Sequence, residues 1–230
     1  MAFPVALTIA GSDTIAGAGI QADLKTFSAL GVYGTTAITA LTAQNTKGVS
    51  GISETPADFV KKQIDAVMSD LNVGAVKIGM TASQPIIEVI AERLSHWKAK
   101  NVVLDPVMIA TSGDRLLADG AVDAIRTLLV PRATLVTPNL PEAAALLDEK
   151  VACTENDIVA QGRRILEFGV PSVLIKGGHG DGSESVDYLI SAEDVVRFAA
   201  PSMNTRNVHG TGCTLASAIA AGLAKGEGLE

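Results

Sequence analysis

Asn207-Val208-His209-Gly210-Thr211-Gly212-Cys213-Thr214, running into Leu215-Ala216-Ser217-Ala218-Ile219-Ala220-Ala221, reads as a glycine turn opening a helix of small residues. Glycine lets the backbone turn tightly, and the first-turn amides of a helix have no partner within it. With the positive end of the helix dipole, those amides make a site for anionic oxygen. A thiol, Cys213, stands in that first turn, where a thiolate is favoured. The octet therefore points to a phosphoryl-transfer site with Cys213 facing the reacting atom. It is equally compatible with glycines that only start a helix and a Cys213 that is a small buried apolar residue. On the first reading, the rest of the chain must supply a substrate pocket, a cation and metal ligands.

The composition sets the frame for that search. Of 230 residues, 47% are apolar but only 3% aromatic, so the core must be built from Val, Ile, Leu and Ala. Such a core suits parallel strands covered by helices on both faces. Lys and Arg total 18 against 25 Asp and Glu, a net charge of -7 without a block of either sign. Nucleic-acid and anionic-membrane partners need clustered cations and are not expected. Cys153 and Cys213 lie far apart with no Cys-x-x-Cys spacing, which argues for a reducing, cytoplasmic setting and against a disulfide framework or a zinc site. Met1-Ala2-Phe3-Pro4 lacks the basic start of a signal peptide. The uncharged stretch 26–46 carries six Thr, Gly31 and Gly34, so it reads as a helix end, a turn and a buried strand rather than a membrane span.

Backwards from the octet, strands and helices alternate. Residues 3–10 predict a buried strand opening at Gly11-Ser12-Asp13, and Ile20, Leu24, Phe27 and Leu30 fall at helical spacing up to Gly31. Gly17-Ala18-Gly19-Ile20-Gln21-Ala22 matches the dinucleotide fingerprint, but the acidic residue that should hold the ribose about 20 positions on is absent. Residues 32–42 and 49–53 read as strands, the pair readable as a flap at the sheet edge. Residues 56–71 read as a helix with Phe59, Ile64, Val67 and Leu71 on its buried side. Gln44, at a strand end, is either a solvated turn residue or a bidentate reader of a small heterocycle in the crevice where such sheets bind ligands.

Residues 75–80 and 101–108 predict further strands, with the helix 86–97 between them. Asp105 sits among Val, Leu and Pro, where a carboxylate needs a partner or a cation, or serves as a turn acceptor before Pro106. A helix over 121–129 and a strand over 133–137 lead to Pro138-Asn139-Leu140-Pro141-Glu142, which opens the helix 143–147. Capping explains much of this segment. Asn139 and Glu142 nonetheless reach the side of Asp105 if the strands are neighbours, and two carboxylates with an amide suit magnesium completed by phosphates. After a helix over 155–168, the strand within 172–180 ends in Lys176, whose ammonium can meet phosphate at the strand tip or simply be solvated. Residues 186–190 and 195–199 read as a strand pair. With no repeat or linker, the expectation is one α/β domain over 1–230, a doubly wound and mainly parallel sheet.

Taken together, Ala10-Gly11-Ser12-Asp13, the run from Gly17 through Asp23 to Thr26, Ala43-Gln44-Asn45-Thr46, Lys77-Ile78-Gly79-Met80, Leu104-Asp105-Pro106-Val107-Met108, Thr137-Pro138-Asn139-Leu140-Pro141-Glu142-Ala143, Lys176-Gly177-Gly178-His179 and His209-Gly210-Thr211-Gly212-Cys213-Thr214 resemble the bacterial hydroxymethylpyrimidine/phosphomethylpyrimidine kinases of thiamine biosynthesis, in the ribokinase-like superfamily. The resemblance runs from the first strand to the last helix. It implies MgATP-dependent phosphorylation of 4-amino-5-hydroxymethyl-2-methylpyrimidine and then of its monophosphate, by a homodimer. On the family pattern, Gly11, Asp23, Gln44, Met80, Val107 and Cys213 line the pyrimidine pocket. Asp105, Asn139 and Glu142 serve Mg2+ and phosphates, with Asp105 and Glu142 as the metal ligands. Lys176 and Thr211 serve the nucleotide phosphates, and Gly210, Thr211, Gly212 and Cys213 form the anion hole, Cys213 standing where most sugar kinases of the superfamily carry an aspartate base.

Two departures accompany the resemblance. Thr14-Ile15-Ala16 replaces a Pro-Ser-Gly or Ser-Gly-Gly type of loop, and the sequence ends at Gly226-Glu227-Gly228-Leu229-Glu230, where family members usually continue into helices that wall the adenine site. A pyridoxal or pyridoxine kinase and a non-catalytic pyrimidine-binding relative are the competing readings. A cysteine hydrolase built on Cys213 and His209 lacks an identifiable orienting group. A P-loop kinase is excluded because no Gly-Lys dipeptide occurs.

Overall fold

The computed structural model describes residues 3–108, 120–177, 184–203, 205 and 208–229. His179 and Asn207 lie outside the described residues. Eight strands form one sheet in the order β10-β9-β8-β7-β6-β5-β1-β2. The strands are β1 (Val5–Ala10), β2 (Tyr33–Ile38), β5 (Ala75–Ile78), β6 (Val102–Leu104), β7 (Leu135–Val136), β8 (Ser172–Lys176), β9 (Glu184–Ser191) and β10 (Val195–Pro201). β2 to β8 of this sheet and β1 pair in parallel, whereas β9 and β10 add an antiparallel edge. The expected mainly parallel, doubly wound α/β architecture is what the chain adopts.

Helices α1 (Gly19–Ala29) and α7 (Thr211–Lys225) cover one face, through Phe27, Ala216, Ala220 and Leu223. The other face carries α2 (Ala57–Asp70), α3 (Gln84–His96), α4 (Ala121–Ala124, continuing through a π-helical turn Ile125–Leu129), α5 (Leu140–Leu147) and α6 (Glu155–Leu166). Short strands such as Ala75-Val76-Lys77-Ile78, apolar apart from Lys77, are buried along their whole length, as a sheet covered on both faces requires.

Two details depart from the sequence reading. The strand expected over 32–42 is two strands. β2 joins the main sheet, the chain bends at Thr39, and β3 (Ala40–Asn45) pairs with β4 (Gly48–Glu54) as a separate two-stranded flap. Thr39 is fully buried and its hydroxyl donates to the Met80 carbonyl at 2.7 Å, which pins the bend over the sheet. In α2 Ile64 is buried and Val67 packs against the core as expected, but Val60 rather than Phe59, which is 53% exposed, completes the buried side. The fingerprint-like glycines bend a loop, in line with the missing ribose-binding acid. Gly19 has φ +58°, and a Cβ there would stand 2.5 Å from the Gly11 carbonyl oxygen, so only glycine permits this close return.

Candidate active site

Because β1, β5, β6, β7 and β8 run in parallel, their carboxyl ends open on one side of the sheet, the crevice where open α/β sheets bind ligands. Asp105 follows β6, Asn139 and Glu142 follow β7, and Lys176 ends β8. Lys176 Nζ donates to Asp105 Oδ1 at 2.8 Å, and Thr137 Oγ1 donates to the same oxygen at 3.3 Å. Asn139 is the N-cap of α5. Its Oδ1 accepts from the Glu142 amide at 2.8 Å, and Glu142 Oε2 accepts from the Asn139 amide at 2.8 Å. Capping and placement coincide: the reciprocal bonds hold the Glu142 carboxyl beside Asp105 and Lys176.

The α7 turn meets this cluster. Gly210 is the N-cap with φ 82°, so Thr211, Gly212 and Cys213 occupy the first helical turn. A Cβ on Gly212 would lie 3.1 Å from Lys176 Nζ and 3.9 Å from Asp105 Oδ2. The bare backbone of Gly212 thus leaves room for the lysine directly beside the first-turn amides of the helix, which together concentrate positive potential for phosphate oxygens. The Thr211 hydroxyl donates to the Val208 carbonyl at 3.0 Å.

On the flap side, a Cβ on Gly11 would touch Met80 Sδ at 3.0 Å, so these two residues pack together at the ends of β1 and β5. Val107 is half-buried just beyond Asp105. Gln44 lies in β3 rather than in a solvated turn. Its amide donates to Thr14 Oγ1 at 3.2 Å, and its side-chain amide lies 3.3 Å from Thr42 Oγ1. Thr14 also donates to the Thr42 carbonyl, so Thr14-Ile15-Ala16 is stitched to the flap.

Two expectations are corrected. Asp23 is not on a pocket wall: its side chain is fully buried and accepts from Thr8 Oγ1 at 2.6 Å, Ser217 Oγ at 2.7 Å and Lys77 Nζ at 3.0 Å. It lies beneath the site and joins β1, β5 and α7. Nor does the pull of its helix turn make Cys213 a favoured thiolate on balance. Burial pushes the thiol above its ordinary range, and Asp105 and Asp23 add to that, outweighing the pull of Lys77 and of the Gly19 amide.

Lys77 was not singled out from the sequence, although a lysine in an otherwise apolar buried strand calls for a partner as strongly as Asp105 did. Burial works against its charge, yet Asp23 holds it above the usual lysine range, with Cys213 and Asp105 contributing. Lys176 is likewise raised: burial opposes the charge, and Asp105 and Glu142 more than offset it.

Glu142 shows what the cluster lacks. Burial and the neighbouring Asp105 carry its pKa from 4.5 to about 7 against the opposing pull of Lys176. One lysine does not neutralise two buried carboxylates, and a hard cation on Asp105 and Glu142 would relieve the excess. Among the described residues no three His, Cys, Asp or Glu side chains converge, so protein donors alone do not fill a metal shell. Asp105 and Glu142 are the residues that could hold Mg2+, which keeps waters and takes phosphate oxygens.

A stability measurement checks the Glu142 assignment. The folded state binds the Glu142 proton more tightly than the unfolded chain, so this residue's contribution to stability falls as pH rises from about 4.5 to about 7. Asp13 and Asp65 have lowered pKa values and act below that window. In urea unfolding without divalent metal, the wild type is expected to lose on the order of 1–3 kcal/mol relative to Glu142→Gln between pH 5 and pH 8. Equal pH slopes for the two proteins would contradict the assignment.

Known proteins share this arrangement of sequence and fold. A family model described as phosphomethylpyrimidine kinase matches residues 13–230. The hydroxymethylpyrimidine/phosphomethylpyrimidine kinase of Salmonella typhimurium is 55% identical over 216 residues, covering 94% of this chain and 81% of that protein. The crystal structure of phosphomethylpyrimidine kinase from Clostridium difficile superposes with a TM-score of 0.87 at 45% identity, covering 98% of this chain and 92% of that one. An ADP complex of Bacillus subtilis pyridoxal kinase superposes with a TM-score of 0.92 at 36% identity, covering 99% and 86%. Fold similarity alone does not separate the two kinase types, whereas the match over residues 13–230 and the 55% identity do, and the chain belongs to the phosphomethylpyrimidine kinase family.

Proposed function

We propose that the protein transfers the γ-phosphoryl group of ATP first to the hydroxymethyl oxygen of 4-amino-5-hydroxymethyl-2-methylpyrimidine and then to the phosphate of the resulting monophosphate. Each step releases ADP, and the product is the diphosphate used in thiamine assembly. The observation that carries this reading is the packing of Lys176, paired with Asp105, against the bare backbone of Gly212 at the start of α7. Phosphoryl transfer needs positioning and charge stabilisation more than covalent chemistry, and this juxtaposition supplies both.

The Gly210, Thr211, Gly212 and Cys213 amides receive the oxygens of the moving phosphoryl group, and Lys176 meets the nucleotide phosphates. Asp105 and Glu142, with Asn139 holding Glu142 in place, would bind Mg2+, which when present neutralises phosphate charge. Gly11, Gln44, Met80 and Val107 bound the pyrimidine side, with the flap over it. Cys213 takes the hydroxymethyl proton in the first step. Only its thiolate can accept that proton, and because burial raises the thiol this form is the minority at neutral pH, a scarcity that a loose transition state tolerates because its nucleophile needs little prior activation. A homodimer belongs to the same proposal, supported by the exposed Tyr33 on β2 and Leu41 and Ile52 on the flap. Among the described residues no helix is long and apolar enough to cross a membrane.

Coupled ADP release with the pyrimidine alcohol, its monophosphate and pyridoxal tests the reading. Turnover of both pyrimidines with a higher kcat/KM than pyridoxal is expected. Preference for pyridoxal would replace the substrate assignment, and pyrimidine binding without ADP release would make the chain a binding protein.

A further inference from the structure

Asp13 and His209 are 196 positions apart, yet His209 Nε2 lies 2.9 Å from Asp13 Oδ2. Asp13 is 2% exposed and accepts three backbone bonds besides: from Ile15 at 3.1 Å, Gly17 at 2.9 Å and Ala18 at 2.8 Å. An ionised carboxylate has only acceptors, so Nε2 of His209 carries the proton in this contact. The two loops also interlock through bare backbone. A Cβ on Gly17 would lie 2.5 Å from His209 Cδ2, and a Cβ on Gly210 would run into the Gly17 carbonyl oxygen. His209 immediately precedes Gly210, the residue whose left-handed φ aims the first-turn amides of α7.

The 11–18 loop is anchored at its other side to the flap. Ser12 donates its amide to the Ala40 carbonyl at 2.8 Å, Thr42 Oγ1 donates to the Ser12 carbonyl at 2.8 Å, and Thr14 receives the Gln44 amide. One loop therefore touches both the strand over the pyrimidine side and the turn over the phosphoryl side.

We propose that Asp13 and His209 form a clasp that sets the Gly210-to-Cys213 turn against the pyrimidine loop, making His209 a positioning residue for phosphoryl transfer. This rests on the kinase reading above. His209 acts through the turn, so its loss displaces the amides and the Cys213 sulfur without removing any of them. Misplacement of a reacting group by an ångström is enough for about 10²-fold in rate.

The test compares His209→Leu, which fills the space without a donor, with His209→Gln, whose terminal amide reaches as far as Nε2. His209→Leu is expected to lower kcat about 10- to 100-fold in both steps, with KM for the pyrimidine alcohol within about twofold, and His209→Gln to recover most of the loss. Should His209→Leu not fold, His209→Asn, too short to reach Asp13, replaces it. A second arm needs no turnover: in a Cys153→Ser background, the rate of Cys213 alkylation by iodoacetamide in ligand-free protein changes with His209→Leu and returns with His209→Gln. Equal kcat losses for the Leu and Gln variants, or kcat and alkylation both unchanged by His209→Leu, overturn the clasp. Absence of ADP release by the wild type with either pyrimidine sinks the kinase reading instead, and the alkylation arm then decides the clasp by itself.

Discussion

Replacing Cys213 by alanine is expected to lower kcat for the pyrimidine alcohol about 10²-fold or more, the range of a lost general base, and to lower the monophosphate step less than tenfold. The asymmetry follows from the two nucleophiles. A primary alcohol must lose a proton during transfer, whereas a phosphate monoester, with a second pKa of about 6, is already ionised at neutral pH. The raised Cys213 thiol adds a sign. Its basic form grows as pH climbs through and beyond the ordinary thiol range, so kcat for the alcohol rises over pH 7 to 9 while the monophosphate step stays flat. Cys213→Ala removes that rise. Cys213→Asp supplies a base but fixes a carboxylate next to the second substrate's phosphate, and it is expected to impair the monophosphate step more than the alcohol step. A monophosphate step spared by Cys213→Asp, or an alcohol step with no pH dependence in the wild type, would remove Cys213 from the base role. Steady-state ADP release with each substrate across that pH range reads both outcomes.

Much of this site was legible before any coordinates because its residues stand at strand ends and helix starts, where sequence punctuation is strongest. Gly210 and Gly212, Asp105 before a proline, and the Asn139-to-Glu142 cap each carry a local signal, and parallel pairing brings them together. What stayed hidden depends on contacts between distant segments. The bend at Thr39 is fixed by a hydrogen bond to Met80, 41 residues on, and nothing in 32–42 itself marks it. In α2 Val60 takes the buried place expected of Phe59 because both are apolar, and only packing against the sheet chooses between them. Cys213 illustrates the same limit in electrostatics: its helix turn favours a thiolate, but Asp23 and Asp105, 190 and 108 positions away, and its burial reverse the local rule. Lys77 could have been found, since a charge in a four-residue buried strand has no solvent to reach.

Lys77→Met is expected to destabilise the protein by about 3–5 kcal/mol, read as a shift of the urea midpoint at pH 7, because it strands Asp23 as a buried carboxylate without its cation. Both side chains are fully buried, so water does not screen the loss. The remaining donors, Thr8 and Ser217, are neutral and satisfy hydrogen bonds without balancing charge. Adding Asp23→Asn to Lys77→Met removes the stranded charge, and the double variant is expected to be more stable than Lys77→Met alone, since an amide oxygen still accepts from one of those hydroxyls. The pair also reaches upward into the site. Lys77 is the charge that most opposes the rise of the Cys213 thiol, and Asp23 works in the other direction. Lys77→Met should therefore slow alkylation of Cys213 at pH 8 in whatever fraction folds, and the double variant should return part of that rate. A single variant as stable as the double would overturn the charge-balance account of the Lys77–Asp23 pair.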